Sequence, residues 1–303
     1  MPRPATVRTT AEPFTLSGFG LHENKPCSVR VLPSETGGLR FLHLPSQATI
    51  PAKADYAGDL SLATTLVKDG VCLRTVEHIL SALFGLGVDH AIIEVDGEEL
   101  PILDGSAAPW VKAISQVGLI DLPSKKNWIK VLRTVQVQHE DKWVRLSPYD
   151  GLMINCTIDF PGSSIGRQSL ELSISPDKFR RELASARTFC LKKEIDAMHS
   201  RGLALGGSLD NAVVYDDNGY LNDCLRFDNE AVRHKMLDLV GDLALLGAPL
   251  LGFVEAHAAG HAIHVALVKK LLSERDAWTM VETAPVTLHR LFQPEFAQGF
   301  AAV

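Results

Sequence analysis

The chain has 303 residues, with 30 Lys and Arg against 36 Asp and Glu, a formal net charge of −6 and 46% hydrophobic residues. At about 150 residues per domain this suits two modest domains or one large one. The composition excludes disordered, collagen-like and disulfide-rich classes, and the lack of a polybasic run argues against nucleic acid or a membrane surface as partner. Five cysteines at 27, 72, 156, 190 and 224 form no CxxC pair, which fits reduced thiols in a cytosol. The longest charge-free apolar stretch, 243–254, is about a dozen residues, against the roughly 20 that span a bilayer. The N-terminal MPRPATVRTTAEPFTL has no apolar core of a secretory signal. A cytoplasmic protein with no transmembrane segment is expected.

In chain order, CSVRVLP (27–33) and LRFLHLP (39–45) alternate as strands between Gly, Pro and Ser turns. TVEHILSALFGLG (75–87) predicts a helix, with Val76, Ile79, Leu80 and Leu83 at helical spacing and Gly85 and Gly87 to stop it. HAIIEVDG (90–97) predicts a strand ending in an Asp96-Gly97 turn, and a second helix is expected from Ser106. The polar, Pro-containing DLPSKKN (121–127) marks a domain boundary, giving units 1–125 and 126–303. Strands resume in WIKVLRTVQVQ, KWVRLSP and LMINCTIDF; a helical segment over 177–189 and an irregular stretch to about 207 precede a hairpin-like AVVYDDNGYLN. NEAVRHKMLDLVGDLALLG (229–247) predicts a clear helix. Both halves place strands first and helices later, a duplication of pattern and not of residues. The expectation is an α+β fold, not a doubly wound parallel sheet.

Three segments carry possible chemistry. On the 229–247 helix His234, Asp238 and Asp242 stand at i, i+4 and i+8, near one stripe. An imidazole and a carboxylate one turn apart can both reach a zinc ion; the pattern equally fits a polar, solvent-facing stripe. Glu77 and His78 point about 100° apart on their helix, so they can flank one centre. One would ligate a metal while the other acts as general base on its water; an exposed Glu beside a half-buried His fits as well. VEAHAAGHAIHVALV (254–268) brings His257, His261 and His264 together, as a metal or acid/base group or as half-exposed strand histidines. If His261 is the functional one, its cationic ring could stabilise an oxyanion or protonate a leaving amine. Together these supply two His and one carboxylate for a metal, a separate base and a separate acid, the count of a catalytic zinc site with one open position. Competing motifs fail: no GxxxxGK[ST] occurs, GFGLHE (18–23) lacks the third glycine of a dinucleotide fingerprint, and GSSIG (162–166) runs into a strand-like RQSLELSIS.

The segments TVEHILSALFGLGVDHAIIEVDGEELPILDGSAAPWV (75–111), ARTF (186–189), GGSLDNAVV (206–214), LRFDNEAVRHKMLDLVGDLALLG (225–247) and GHA (260–262) are similar to those of UDP-3-O-acyl-N-acetylglucosamine deacetylases. The resemblance runs from FTLSGFGLH almost to the end of the chain. It implies a zinc amidase at the committed step of lipid A synthesis, removing acetate from a UDP-linked, 3-O-acylated amino sugar. It also implies two similar α+β domains, each a β-sheet on two helices, forming a β-α-α-β sandwich. By motif, His78, His234 and Asp238 would bind zinc and Glu77 would be the base. His261 would serve the intermediate or leaving amine, with Asp242 holding it charged. Thr188 would donate to the oxyanion, Phe189 would lie on the sugar, and Lys235 would meet polar or phosphate groups. Lys142 and Phe160 match positions near the nucleotide, and Ile195, Met198 and Leu203 would line the acyl passage. Iron(II) suits the same donor set. A monomer acting on a small-molecule substrate is expected.

Departures from the family pattern are local. GHAIHV stands where many members have GHALNN, so His264 replaces an amide residue, able to compete for protons or metal. Ala258 stands in place of a Lys, and Cys190-Leu191 follows ARTF in place of a Gly-aromatic step. Two alternatives follow: a metal-dependent deacetylase of another N-acyl amino sugar, or a non-catalytic scaffold of the same fold. The intact Glu77 argues against the scaffold.

Overall fold

A computed structural model of the chain describes residues 5–282. Among these residues the α-helices are α1 (Glu77–Leu86), α2 (Ala108–Val117), α3 (Pro176–Lys178), α4 (Ile195–Ser200), α5 (Glu230–Leu243) and α6 (His261–Ser273). No helix among the described residues is long and apolar enough to cross a membrane, and all five cysteines are free thiols.

Two sheets repeat one topology. The first runs in the spatial order Phe14–Phe19, Pro26–Pro33, Ala91–Val95, Leu39–His43, Ala48–Pro51. Every neighbouring pair is antiparallel except Leu39–His43 with Ala91–Val95. The second places Val135–His139, Lys142–Ser147, Leu250–His257, Leu152–Phe160 and Gly166–Ser173 in the same order, with the same sense at each step. Asn127–Val131 and Trp278–Glu282 extend it. A parallel pair needs a long crossover; α1 lies in the first crossover and α5 in the second, while α2 and α6 follow the returning strands. The duplication of pattern in the sequence is thus a duplication of strand order, and the fold is the expected α+β sandwich of sheets packed on a few helices.

The helices meet between the halves. α1 is buried at nine of its ten positions, all but Phe84, which is why it lacks a polar face. It packs on α5, and Ser81 Oγ donates to the Leu237 carbonyl at 2.7 Å. The approach is close because α5 has Gly241 at the contact: a Cβ there would sit 2.3 Å from the Glu77 carbonyl oxygen. α5 in turn packs on Leu152–Phe160 and Gly166–Ser173, and α6 on Val135–His139 and Lys142–Ser147.

Some elements differ from the sequence expectation. The three histidines of 254–268 do not all lie on a strand. Leu250–His257 ends the strand, and α6 begins at His261, with Val265, Val268 and Leu271 giving it a buried face. The helix expected over 177–189 is short: α3 passes into a single π-helical segment, Phe179–Leu183, and the chain is extended again by Phe189–Leu191. Leu119–Lys125 is a strand paired antiparallel with Thr6–Thr10, exposed at most positions with Leu122 buried, as an edge strand allows.

The segment after Leu183 is tied to the start of α5 by a buried ion pair. Arg187 donates from Nε to Glu230 Oε1 at 2.8 Å and from Nη2 to Oε2 at 3.1 Å, and the backbone amides of Arg187 and Arg226 donate to the same carboxylate. Burial alone would raise the Glu230 pKa, but these donors hold it below the usual 4.5.

Two outcomes are expected. Gly241→Ala should destabilise the fold by about 3 kcal/mol through overpacking, read as a lower Tm, because the added methyl meets backbone. Glu230→Gln should cost on the order of 3 kcal/mol at pH 7 by leaving Arg187 buried without its charge partner. A depressed carboxyl pKa contributes stability above pH 4.5 that is lost as pH falls through the folded-state value. The Tm of wild type should therefore fall over that window more than that of Glu230→Gln, and parallel acid limbs would contradict the assignment.

Candidate metal centre and active site

The α1–α5 contact sets Glu77 and His78, at the start of α1, against His234, Asp238 and Asp242 along α5. The i, i+4, i+8 stripe of α5 is buried, not solvent-facing. His234 Nδ1 donates to the Ala186 carbonyl at 3.0 Å, which leaves the lone pair on Nε2. That nitrogen lies 3.3 Å from Asp238 Oδ1, and His78 Nε2 lies 3.8 Å from the same oxygen. The two imidazoles meet edge to face with centroids 5.1 Å apart. Burial lowers the His234 pKa and, with the neighbouring His234, pushes His78 down to about 3, so both rings are neutral. Asp238 is held well below the usual carboxylate range: the charge of His234 when protonated, together with that of Lys235, outweighs the effect of its burial.

Asp238 Oδ1 is the informative atom. Its partner oxygen Oδ2 accepts from Lys235 Nζ at 2.8 Å, but Oδ1 is buried with no hydrogen-bond donor among the described residues. A buried carboxylate oxygen facing an imidazole lone pair is repulsive unless a cation lies between them. His78, His234 and Asp238 offer ligand atoms all within 4.8 Å of one another. Neutral imidazoles and an ionised carboxylate are the protonation states a metal requires, so the group can hold a metal ion.

A second cluster, Asp242, His261 and His264, meets the same distance criterion, but its atoms are already paired. Asp242 Oδ2 accepts from His261 Nδ1 and from His264 Nδ1, each at 2.8 Å. Asp242 Oδ1 accepts from Thr64 Oγ1 at 2.5 Å. These bonds hold the His261 ring in a fixed orientation, as a proton donor would require. Burial would lower the His261 pKa, but Asp242 outweighs it and pushes the ring up to about 9, while Asp242 itself is held down to about 2. His264 is lowered, burial exceeding its share of Asp242. Of the outcomes open for His264, the structure has it sharing the proton acceptor of His261.

His261 Nε2 faces the other way, 4.0 Å from Glu77 Oε1 and 3.9 Å from Asp238 Oδ2. Glu77 Oε2 accepts from the Thr64 amide at 2.9 Å. Burial pushes Glu77 up to about 7, with His261 opposing and Asp238 adding. A carboxyl raised and an imidazole raised, facing each other beside a group able to bind a metal, can act as a base and an acid.

Around them lies a cavity of about 460 Å³. Of the expected site residues, Glu77, His78, Thr188, Phe189, His234, Lys235, Asp238 and His261 line it, with Lys142, Phe160 and Met198; Asp242 lies behind His261. Phe189 packs edge to face on Phe160 at 5.6 Å and on His234 at 6.3 Å. Burial and Asp238 compete at Lys235, and Asp238 wins, raising its pKa. Ile195 is brought to a neighbouring cavity with Lys192, Lys193 and Tyr215, and Leu203 lines neither. His257 stands apart, stacked on Trp143. Sequence reasoning missed Thr64, which joins Glu77, Asp242 and His261, because nothing in SLATTLV distinguishes one threonine from the next. It also missed His22, on the cavity wall.

A family model described as UDP-3-O-acyl N-acetylglycosamine deacetylase matches residues 7–273. Similar curated proteins carry the name UDP-3-O-acyl-N-acetylglucosamine deacetylase. The protein from Anaeromyxobacter dehalogenans is 41% identical over 276 residues, 90% of each chain. That from Thioalkalivibrio sulfidiphilus is 41% identical over 292 residues, covering 92% of this chain and 96% of the relative. That from Brucella melitensis biotype 2 is 39% identical over 283 residues, covering 92% and 99%. With the match spanning both halves and every residue of the buried cluster, the chain belongs to the UDP-3-O-acyl N-acetylglycosamine deacetylase family, hydrolases that act on an amide.

Proposed function

We propose that the protein hydrolyses the N-acetyl amide of UDP-3-O-acyl-N-acetylglucosamine in a zinc-dependent reaction, the committed step of lipid A synthesis. The observation that carries the metal reading is Asp238 Oδ1, buried without a donor between two neutral imidazoles. His78, His234 and Asp238 would hold the ion. Zinc suits this donor set, and iron(II) is the second candidate. Bound there, the ion supplies Lewis-acid polarisation of the amide carbonyl and acidifies water.

The chain's own groups do the rest. Glu77 takes a proton from the attacking water as the new C–O bond forms. His261, held protonated by Asp242, gives its Nε2 proton to the departing nitrogen as the C–N bond breaks, so acetate and a free amine leave. Thr188 donates to the developing oxyanion, and Phe189 lies against the sugar. Lys235 meets polar or phosphate groups, and Lys142 and Phe160 serve the nucleotide end. Met198 lines the acyl passage, whereas Ile195 and Leu203 stand outside this cavity. Support for these roles is the shared cavity for most of the set and the family motifs for the rest. We take the protein to act in the cytosol as a monomer built from units 1–125 and 126–303.

The test combines elemental analysis of purified protein with acetate release from UDP-3-O-acyl-N-acetylglucosamine. Wild type should carry about one zinc per chain. Glu77→Ala and His261→Ala should keep the metal and lose roughly 10²–10⁴-fold in kcat, while His78→Ala should lose the metal. Wild type without stoichiometric metal, or Glu77→Ala as fast as wild type, would sink the mechanism.

A further inference from the structure

His22 is buried on the wall of the same cavity, and no role falls to it in the reaction above. Its backbone is clamped on two sides. The amides of His22 and Glu23 donate to the buried Glu99 carboxylate at 2.7 and 2.8 Å, and the His22 carbonyl accepts from the Leu205 amide at 3.1 Å.

The ring's own bond settles its tautomer. The Ala204 amide donates to His22 Nδ1 at 3.3 Å, so Nδ1 presents its lone pair and the proton sits on Nε2. Burial lowers the pKa of this ring, with Arg74 acting in the same direction against Glu99 and Glu23, so the neutral form with an Nε2 donor prevails. Nε2 is nevertheless buried with no hydrogen-bond partner among the described residues. Leaving such a donor unmet costs about 1–3 kcal/mol, so an acceptor from outside the chain would be bound with corresponding preference.

The surroundings define that acceptor. Leu21, Leu60, Leu62, Ile102 and Met198 share the cavity lining with His22 and make its apolar part. Of the other donors of the cavity, Lys235 bonds to Asp238, His261 Nδ1 to Asp242 and Thr75 to Glu99, while His261 Nε2, Thr188 and Lys142 already have parts in the reaction proposed above. A neutral donor set beside this hydrocarbon surface suits a ligand segment that is mostly aliphatic and carries an acceptor oxygen. On the substrate class proposed above, the 3-O-acyl arm has this chemistry, and the oxygen every such arm carries is its ester carbonyl. We propose that His22 Nε2 donates to the ester carbonyl oxygen of the 3-O-acyl arm and so makes the site specific for an acylated sugar. The assignment rests on the deacetylase reading.

The experiment compares acetate release from the 3-O-acyl substrate and from a 3-O-alkyl ether analogue of equal chain length, in which a methylene replaces the ester carbonyl. Wild type should favour the ester by about 10- to 100-fold in kcat/KM, the span that 1–3 kcal/mol allows. In His22→Phe the ester should lose most of that factor and the ether far less, so that the ratio collapses. His22→Gln, which keeps an amide donor, should restore part of it. A wild-type ester-to-ether ratio near one overturns the assignment whether or not a variant folds. So does a His22→Phe protein of unchanged Tm that loses both activities equally or neither. If wild type turns over neither compound, the deacetylase reading fails and this assignment falls with it.

Discussion

The contact between α1 and α5 at Gly241 is the constraint on which the site depends. The helices come from different halves of the chain, and each alone carries an incomplete set: Glu77 and His78 on one, His234, Asp238 and Asp242 on the other. A hydrogen in place of a methyl lets the Glu77 backbone lie against α5, and this distance puts His78 Nε2 within 3.8 Å of Asp238. Side chains reaching from farther apart would need longer, less ordered residues than His and Asp. Short side chains on rigid, buried helices lose little rotamer freedom when they converge.

Two aspartates one turn apart on α5 then diverge through their partners alone. Asp242 is saturated by two imidazoles and a hydroxyl, whereas Asp238 has a lysine on one oxygen and none on the other. The first stabilises a cation already in the chain; the second is left open to a cation from outside it. Residue type does not separate these behaviours, since both are buried carboxylates. The separation comes from what α6 and the Thr64 loop bring to one and withhold from the other.

This division explains what could be read from the sequence. The stripe on α5 and the helix at 75–87 are local patterns with period 3.6, and both stand where the pattern puts them. The repeated order of strands then helices is visible for the same reason, since alternation in strands survives when residue identity does not. Local patterns fail where a tertiary partner decides. The histidines of 254–268 fit half-exposed strand positions as well as a functional group, yet after Gly260 the chain is helical because Val265, Val268 and Leu271 find the sheet beneath them. Thr64 and His22 lie in loops, and their roles come from contacts across 197 and 182 positions, which no window along the chain can register. Ile195 and Leu203 failed to reach the main cavity because the segment after Phe189 turns away through short helical pieces.

The hydrogen bond between Thr64 and His261, spanning 197 positions, can form only once the chain has been made as far as α6. The chain emerges with His78 first, completes the potential metal-binding group only at Asp238, and brings His261, the proposed proton donor, 23 residues later. Loop closure over such separations is slow relative to local helix formation. A nascent chain ending before α6 therefore exposes a group able to capture a cation while the acid that would put it to use is absent. Binding at that stage would favour docking of α1 on α5, because a ligand shared by both stabilises only their associated state. The metal would then act first as a folding template, and catalytic competence would arrive last, with the strand Leu250–His257 and the helix that follows it.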